Sequence, residues 1–142
     1  MQNMCSQAAL AGIPFFTEQH REVIRTVARK YPMRVTPYYL GLIREPGDPI
    51  YRQCIPSEEE LSDASGQSDP LKEDDHSPLP RLHHRYPDRV LLVVTNNCAM
   101  YCRFCTRKRN ISDRTTAITN EELAMVVKYL HDHGEVHDVL IS

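Results

Sequence analysis

Three cysteines stand within eight residues of this chain, in the string Cys98-Ala-Met-Tyr-Cys102-Arg-Phe-Cys105. The spacing C-x3-C-x2-C lets a short loop wrap three thiolates around one face of a four-iron cube. Iron–sulfur clusters are held by cysteine thiolates, and a set of four closes the cluster for electron transfer. Three ligands leave one iron open to a small molecule. The pattern therefore predicts a [4Fe–4S] cluster bound by Cys98, Cys102 and Cys105.

Two other interpretations of the same cysteines remain open. A structural zinc site needs a fourth Cys or His ligand, and His83 and His84 lie upstream in the sequence. Alternatively, the three cysteines are simply buried. The remaining cysteines, Cys5 and Cys54, are predicted to be non-ligands, because an isolated cysteine usually behaves as a small buried apolar residue. His83 and His84 are predicted to be structural.

The cysteines follow the first strand of a predicted βαβ unit. The aliphatic run Val90–Val94 is typical of a strand covered on both faces of a parallel sheet. Thr119-Asn-Glu-Glu122 matches a capping box and predicts a helix ending near Gly134, and residues 136–141 read as the next strand. Such strands should be adjacent and parallel, with a right-handed crossover. The cysteines would then lie at the carboxyl end of the first strand, where α/β proteins place their sites.

The N-terminal part has a different character. Thr17 to Lys30 predicts a helix that Thr17 caps and Pro32 stops, whereas residues 33–43 are ambiguous. Residues 57–80 carry eight acids against one lysine, which favours a solvated linker. The predicted domains are an extension at 1–85, comprising a helix and an acidic linker, and the start of an α/β domain at 86–142.

Composition narrows the possible classes of protein. With 142 residues, 41% of them hydrophobic and 25% charged, the chain is typical of a globular protein. A net charge of −2 argues against a nucleic-acid partner, and no apolar run reaches the roughly 18 residues of a membrane span. The absence of a signal-peptide pattern predicts a cytoplasmic protein. The last residues read as a strand with no turn after it, so we expect a truncated product.

Four segments together resemble the lysine 2,3-aminomutase family of radical S-adenosylmethionine enzymes. They are Arg34-Val-Thr-Pro-Tyr-Tyr-Leu40, Asp69-Pro-Leu-Lys-Glu-Asp74, His84-Arg-Tyr-Pro-Asp-Arg-Val90 and Cys102-Arg-Phe-Cys-Thr-Arg-Lys-Arg109. The resemblance runs from about Met33 to the end, and residues 84–109 are its most specific part. It implies a partial (β/α)6 barrel, of which this chain would supply an N-terminal extension and the first βαβ unit.

The resemblance implies an isomerase that moves the amino group of an amino acid, most simply L-lysine to β-lysine. Glutamate 2,3-aminomutase is an alternative. So is the related enzyme acting on lysine for elongation factor P, although that enzyme should have Phe-Arg-Arg-His where this chain has Thr106-Arg-Lys-Arg109. A non-catalytic iron–sulfur or zinc module is the alternative from another class.

The family's cofactors are the [4Fe–4S] cluster, S-adenosylmethionine on its open iron, and pyridoxal 5′-phosphate. By motif position, Tyr86 and Arg89 would contact pyridoxal phosphate, and Arg107 would bind the substrate carboxylate. Phe104 departs from the His or Tyr often found there. The Schiff-base lysine would lie beyond Ser142, so no catalytic residue is expected in this fragment, which alone should be inactive. The implied partners are an amino acid, an electron donor such as flavodoxin or ferredoxin, and further subunits of a homo-oligomer.

Overall fold

A computed structural model of the chain describes residues 16–111 and 116–142, which fall into two compact units. Of the described residues, the N-terminal unit comprises 16–68 and 98–111, and the sheet unit comprises 69–97 and 116–142. The cysteine segment packs with residues that come before it in the chain. The division at residue 85 stays a prediction about the longer protein.

Short helices make up the N-terminal unit: α1 (Glu18–Lys30), α2 (Pro37–Leu40), α3 (Pro49–Cys54) and α4 (Glu59–Ser62). The predicted first helix is confirmed, including its cap, since Thr17 Oγ1 accepts the His20 N–H at 3.3 Å. Thr36 and Asp48 cap α2 and α3, each of which begins with a proline. The core of this unit consists of Phe16, Ile24, Val35, Leu40, Ile43, Cys54 and Ile55.

In the sheet unit, three strands of the described residues form one sheet in the order β1 (Leu82–Tyr86), β2 (Arg89–Leu92), β3 (Asp138–Ile141). Strands β2 and β3 are parallel, with Leu91 opposite Leu140, and helix α5 (Asn120–Asp132) lies between them in the sequence. The predicted strand–helix–strand order and parallel pairing are therefore confirmed. The chain is a small mixed α/β structure.

Strand β1 was not predicted. It pairs antiparallel with β2 through the turn at Pro87 and Asp88. Of its five residues, Leu-His-His-Arg-Tyr, only Leu82 is buried. The segment lacks the alternation of apolar and polar residues by which a half-buried strand is recognised, so only its pairing with β2 defines it.

Helix α5 packs on the sheet around a core of Leu82, Val90, Leu92 and Val126. The third strand, β3, is less covered than β2, since Leu140 is 53% and Ile141 is 71% exposed. A parallel strand is normally covered on both faces. Among the described residues of the sheet unit, little packs against β3.

The acidic segment at 57–80 is only partly the solvated linker that was predicted. Residues 61–68 are exposed, but the segment also contains α4 and a 3-10 turn at Asp74–His76. Glu73 is buried, and Glu60 is half-buried between two cations. The prediction was wrong at these two residues, and the partners of Glu60, Arg103 and Lys108, lie 43 and 48 residues further along the chain. Within the described residues, no helix has the length and apolarity to cross a membrane.

Replacement of Thr119 by alanine should destabilise the sheet unit. Thr119 Oγ1 accepts the Glu122 N–H at 3.1 Å, and Glu122 Oε2 accepts the Thr119 N–H at 2.8 Å. Losing such a cap costs about 1 kcal/mol, which denaturant titration can measure. Thr26→Ala, at an exposed position inside α1, is the matched control and should not destabilise. An equal loss in both variants would show that the cap contributes nothing specific.

Candidate functional site

The cysteine loop, residues 98–111, is tied to the N-terminal unit by its backbone. Met100 forms an antiparallel bridge with Val35, and the Tyr101 N–H donates to the Arg34 carbonyl at 2.8 Å. Tyr101 itself is only 3% exposed. Two residues further, the Arg103 N–H donates to the Gln53 carbonyl at 2.8 Å. The loop is therefore fixed at points between the cysteines.

Two consecutive tight turns follow Cys102 in the cysteine loop. The Cys105 N–H donates to the Cys102 carbonyl, and the Lys108 N–H donates to the Cys105 carbonyl, both at 3.1 Å. Cys98 is exposed, whereas Cys102 and Cys105 are half-buried, and all three are free thiols. Free thiols in a partly exposed loop are accessible to a metal.

The three thiols influence one another electrostatically. Burial raises the pKa of Cys102, and the neighbouring Cys105 and Cys98 sulfur groups raise that pKa further. Like-charged thiolates would repel one another at this range, which favours the protonated form. Metal binding requires thiolates and releases their protons, so a bound cation would reverse this preference.

The loop contains the right kind of ligand for an iron–sulfur cluster. Such clusters are bound by cysteine thiolates, and the loop carries three free cysteines. Among residues 16–111 and 116–142, however, no three Cys, His, Asp or Glu side chains are gathered as an ion site. The predicted convergence of the sulfur atoms is thus not seen. The ligand assignment stays a prediction.

Cys54 behaves as predicted for a non-ligand. Its side chain is fully buried, and its thiol donates to the Ile50 carbonyl at 3.3 Å. Burial raises the pKa of Cys54 to about 11, which keeps the thiol protonated at neutral pH. Cys5 lies outside the described residues.

Neither upstream histidine has the surroundings of a zinc ligand. His83 Nδ1 lies 2.7 Å from the Ser77 hydroxyl, and His84 Nδ1 lies 2.7 Å from the Tyr129 hydroxyl. Both rings are half-buried in the sheet unit. These hydrogen bonds are consistent with the predicted structural role of both histidines, which stays a prediction.

A half-buried ion-pair network, which we call the Glu60 network, holds the cysteine loop from the side. Arg103 Nε and Nη2 donate to the two carboxylate oxygens of Glu60 at 2.9 and 2.7 Å, and Lys108 Nζ donates to the same carboxylate. Their side chains are 7%, 14% and 24% exposed for Arg103, Glu60 and Lys108. Burial alone would raise the pKa of Glu60, but the hydrogen bonds from Arg103 and Lys108 outweigh it and hold that pKa below its usual value.

In the sequence alone, the basic cluster of Arg103, Arg107, Lys108 and Arg109 would suggest a solvated loop or an anion-binding site. This interpretation is wrong for Arg103 and Lys108, whose charges face Glu60. No local signal could reveal this, since Glu60 lies 43 residues before Arg103. Arg107 is half-buried on the same loop, and its contact with a substrate carboxylate stays a prediction. Phe104 is 70% exposed.

Tyr86 and Arg89 lie together at the turn between β1 and β2, directly opposite each other in the strand register. Tyr86 is 56% exposed. The Arg89 guanidinium forms two hydrogen bonds with Asp88, at 2.9 and 2.8 Å, and these raise the pKa of Arg89. An anion at Arg89 would have to compete with Asp88. Both residues belong to the sheet unit, whereas the cysteines and Arg107 belong to the N-terminal unit.

Comparison with known proteins identifies the relatives of this chain as amino-acid 2,3-aminomutases. The L-lysine 2,3-aminomutase of Methanococcus maripaludis is 42% identical over 131 residues, which are 89% of this chain and 30% of the relative. That of Acetoanaerobium sticklandii is 43% identical, over 89% of this chain and 31% of the relative. A glutamate 2,3-aminomutase of Clostridioides difficile is 36% identical, over 94% of this chain and 32% of the relative. No protein-family model matches.

The predicted resemblance is confirmed: over 89% of its length, this chain is homologous to L-lysine 2,3-aminomutases. The chain spans about 30% of the length of the curated relatives it matches.

Proposed function

We propose that this chain is part of a radical S-adenosylmethionine enzyme that also uses pyridoxal phosphate and isomerises an amino acid, with L-lysine as the substrate. The observation that carries the proposal is a loop of three free thiols at C-x3-C-x2-C spacing in a chain homologous to lysine 2,3-aminomutases. Bound cluster and S-adenosylmethionine would supply one-electron chemistry, and pyridoxal phosphate would hold the amino group.

The proposal assigns five residues of this chain to the binding of cofactors. Cys98, Cys102 and Cys105 would bind three irons, and Tyr86 and Arg89 would contact pyridoxal phosphate. Exchange of Asp88 for a phosphate at Arg89 costs little, because an ion pair exposed to solvent contributes little to stability.

Arg107 would bind the substrate carboxylate. Its planar guanidinium stays charged at any physiological pH and can donate two parallel hydrogen bonds to a carboxylate. Such a contact orients the substrate, and orientation is what a migration between neighbouring carbons requires.

Glutamate is the second candidate substrate, because a relative of that name is 36% identical to this chain. The higher identity to several lysine enzymes favours lysine. The proposal also includes a partial (β/α)6 barrel in the longer protein. In such a barrel, further parallel strands would continue the pairing of β2 and β3. It also extends to a cytoplasmic homo-oligomer served by an electron donor such as flavodoxin or ferredoxin.

The test uses the whole protein that contains these residues, reconstituted anaerobically with iron, sulfide and pyridoxal phosphate. Dithionite and S-adenosylmethionine are added with L-lysine or L-glutamate, and β-amino-acid products are separated by chromatography. We expect β-lysine to form, and the Cys98→Ala variant to form none. If a protein with full cluster and pyridoxal phosphate content isomerised neither amino acid, the aminomutase proposal would be refuted.

A further inference from the structure

Arg103 lies between two of the loop cysteines. Its side chain forms more hydrogen bonds than that of an ordinary surface arginine. Besides its two hydrogen bonds to Glu60, its guanidinium donates to the Pro32 carbonyl at 3.0 Å and to the Tyr31 carbonyl at 3.3 Å. A side chain with only 7% exposure and all these acceptors is held in a single orientation.

Lys108 closes the network on the other side of the Cys102–Cys105 turn. Its ammonium group donates to the Glu60 carboxylate and, at 3.2 Å, to the Arg103 carbonyl. It also lies 4.1 Å from the centre of the Tyr31 ring, a cation–π distance. Glu60 is therefore bound by residues on both sides of Cys105, and it joins them to helix α4.

We propose that Glu60 is a positioning residue for the cysteine loop, which fixes the backbone of the Cys102–Cys105 turn through Arg103 and Lys108 and so limits the movement needed to bind the cluster. This inference deepens the proposed function and rests on it for the identity of the bound group. The charge balance supports it: a single carboxylate compensates two half-buried cations. Without Glu60 the two cations would repel each other, and the turn between them would open.

The first measurement needs no cluster. In metal-free protein, iodoacetamide alkylation of each cysteine is followed by mass spectrometry, with buried Cys54 as the internal reference. In Glu60→Gln, alkylation of Cys102 and Cys105 should accelerate by about tenfold or more, because the loss of one partner in a buried ion pair strongly favours local opening. Arg103→Lys, which keeps the charge and loses the forked contact, should act in the same direction and carries the test if Glu60→Gln does not fold.

Two control variants separate positioning from general destabilisation. Glu22→Gln removes an exposed carboxylate that pairs with Arg25 at 2.8 Å, and Val27→Ala truncates a buried side chain of α1. Neither should change the ratio of Cys102 to Cys54 alkylation. An unchanged ratio in both Glu60→Gln and Arg103→Lys, or an equal rise in Val27→Ala, would overturn the proposal.

The second measurement uses reconstituted protein and the rate of iron loss to a chelator. Glu60→Gln should lose iron about 10- to 100-fold faster, the range typical for residues that orient metal ligands. Iron loss at the wild-type rate would overturn the role of Glu60. If the wild type took up no iron but Glu60→Gln still exposed Cys102 and Cys105 selectively, the cluster proposal would fail and the positioning of the loop would stand.

Discussion

Replacement of Cys98, Cys102 or Cys105 by alanine should abolish cluster binding. Each thiolate would hold one iron of the cube, and the loop itself contains three free thiols. A variant with only two cysteine ligands cannot hold the cluster. We expect iron content after anaerobic reconstitution to fall from about four per chain to near zero, with loss of the visible absorption of the cluster.

Cys54→Ala is the matched control, because it removes a thiol from the same unit of the protein. Cys54 is buried, hydrogen-bonded and protonated, so its loss should leave iron content unchanged. The cost should appear in stability instead, at roughly 1 kcal/mol for a small cavity. Retention of the cluster in Cys98→Ala together with its loss in Cys54→Ala would show that the ligands are assigned wrongly.

Replacement of Arg107 by alanine should mainly weaken substrate use in the full-length enzyme. Losing a charged hydrogen-bond partner of a buried anion costs about 2 to 3 kcal/mol, or about 30- to 150-fold in binding. We expect the KM for the amino acid to rise by that factor while iron and pyridoxal phosphate content stay normal. Unchanged substrate kinetics would remove Arg107 from the site.

Two companion variants sharpen this result. Arg109→Ala removes the same charge two residues away on the same loop, and should change KM far less if contact matters more than net charge. Arg89→Ala should instead weaken pyridoxal phosphate binding, measured by titration of cofactor absorbance. An equal effect of Arg107→Ala and Arg109→Ala on KM would indicate a general electrostatic effect of the basic loop.

Local patterns account for the parts of the fold that the sequence predicts well. The capping boxes at Thr17 and Thr119 form within four residues, and both helices begin where these residues indicate. The aliphatic run at residues 90–94 contains most of β2. The helix and the apolar segment that follow it indicate a second strand parallel to β2. The three-cysteine spacing and the neighbouring motifs were sufficient to indicate the aminomutase family.

Other parts of the fold depend on contacts that a local sequence pattern does not reveal. Strand β1 has no strand pattern of its own and exists because β2 supplies its hydrogen bonds. The cysteine loop follows β2 in the sequence, yet it packs with the N-terminal unit.

The sequence by itself therefore determined the helix starts, the parallel strand pair and the residues capable of binding a cluster. Only the tertiary structure showed that Glu60, in a segment that reads as a solvated linker, neutralises Arg103 and Lys108 beside the cysteines. The reason is physical: a cap or a periodic face is encoded within a few neighbouring residues, whereas an ion pair across 43 residues depends on the path of the whole intervening chain.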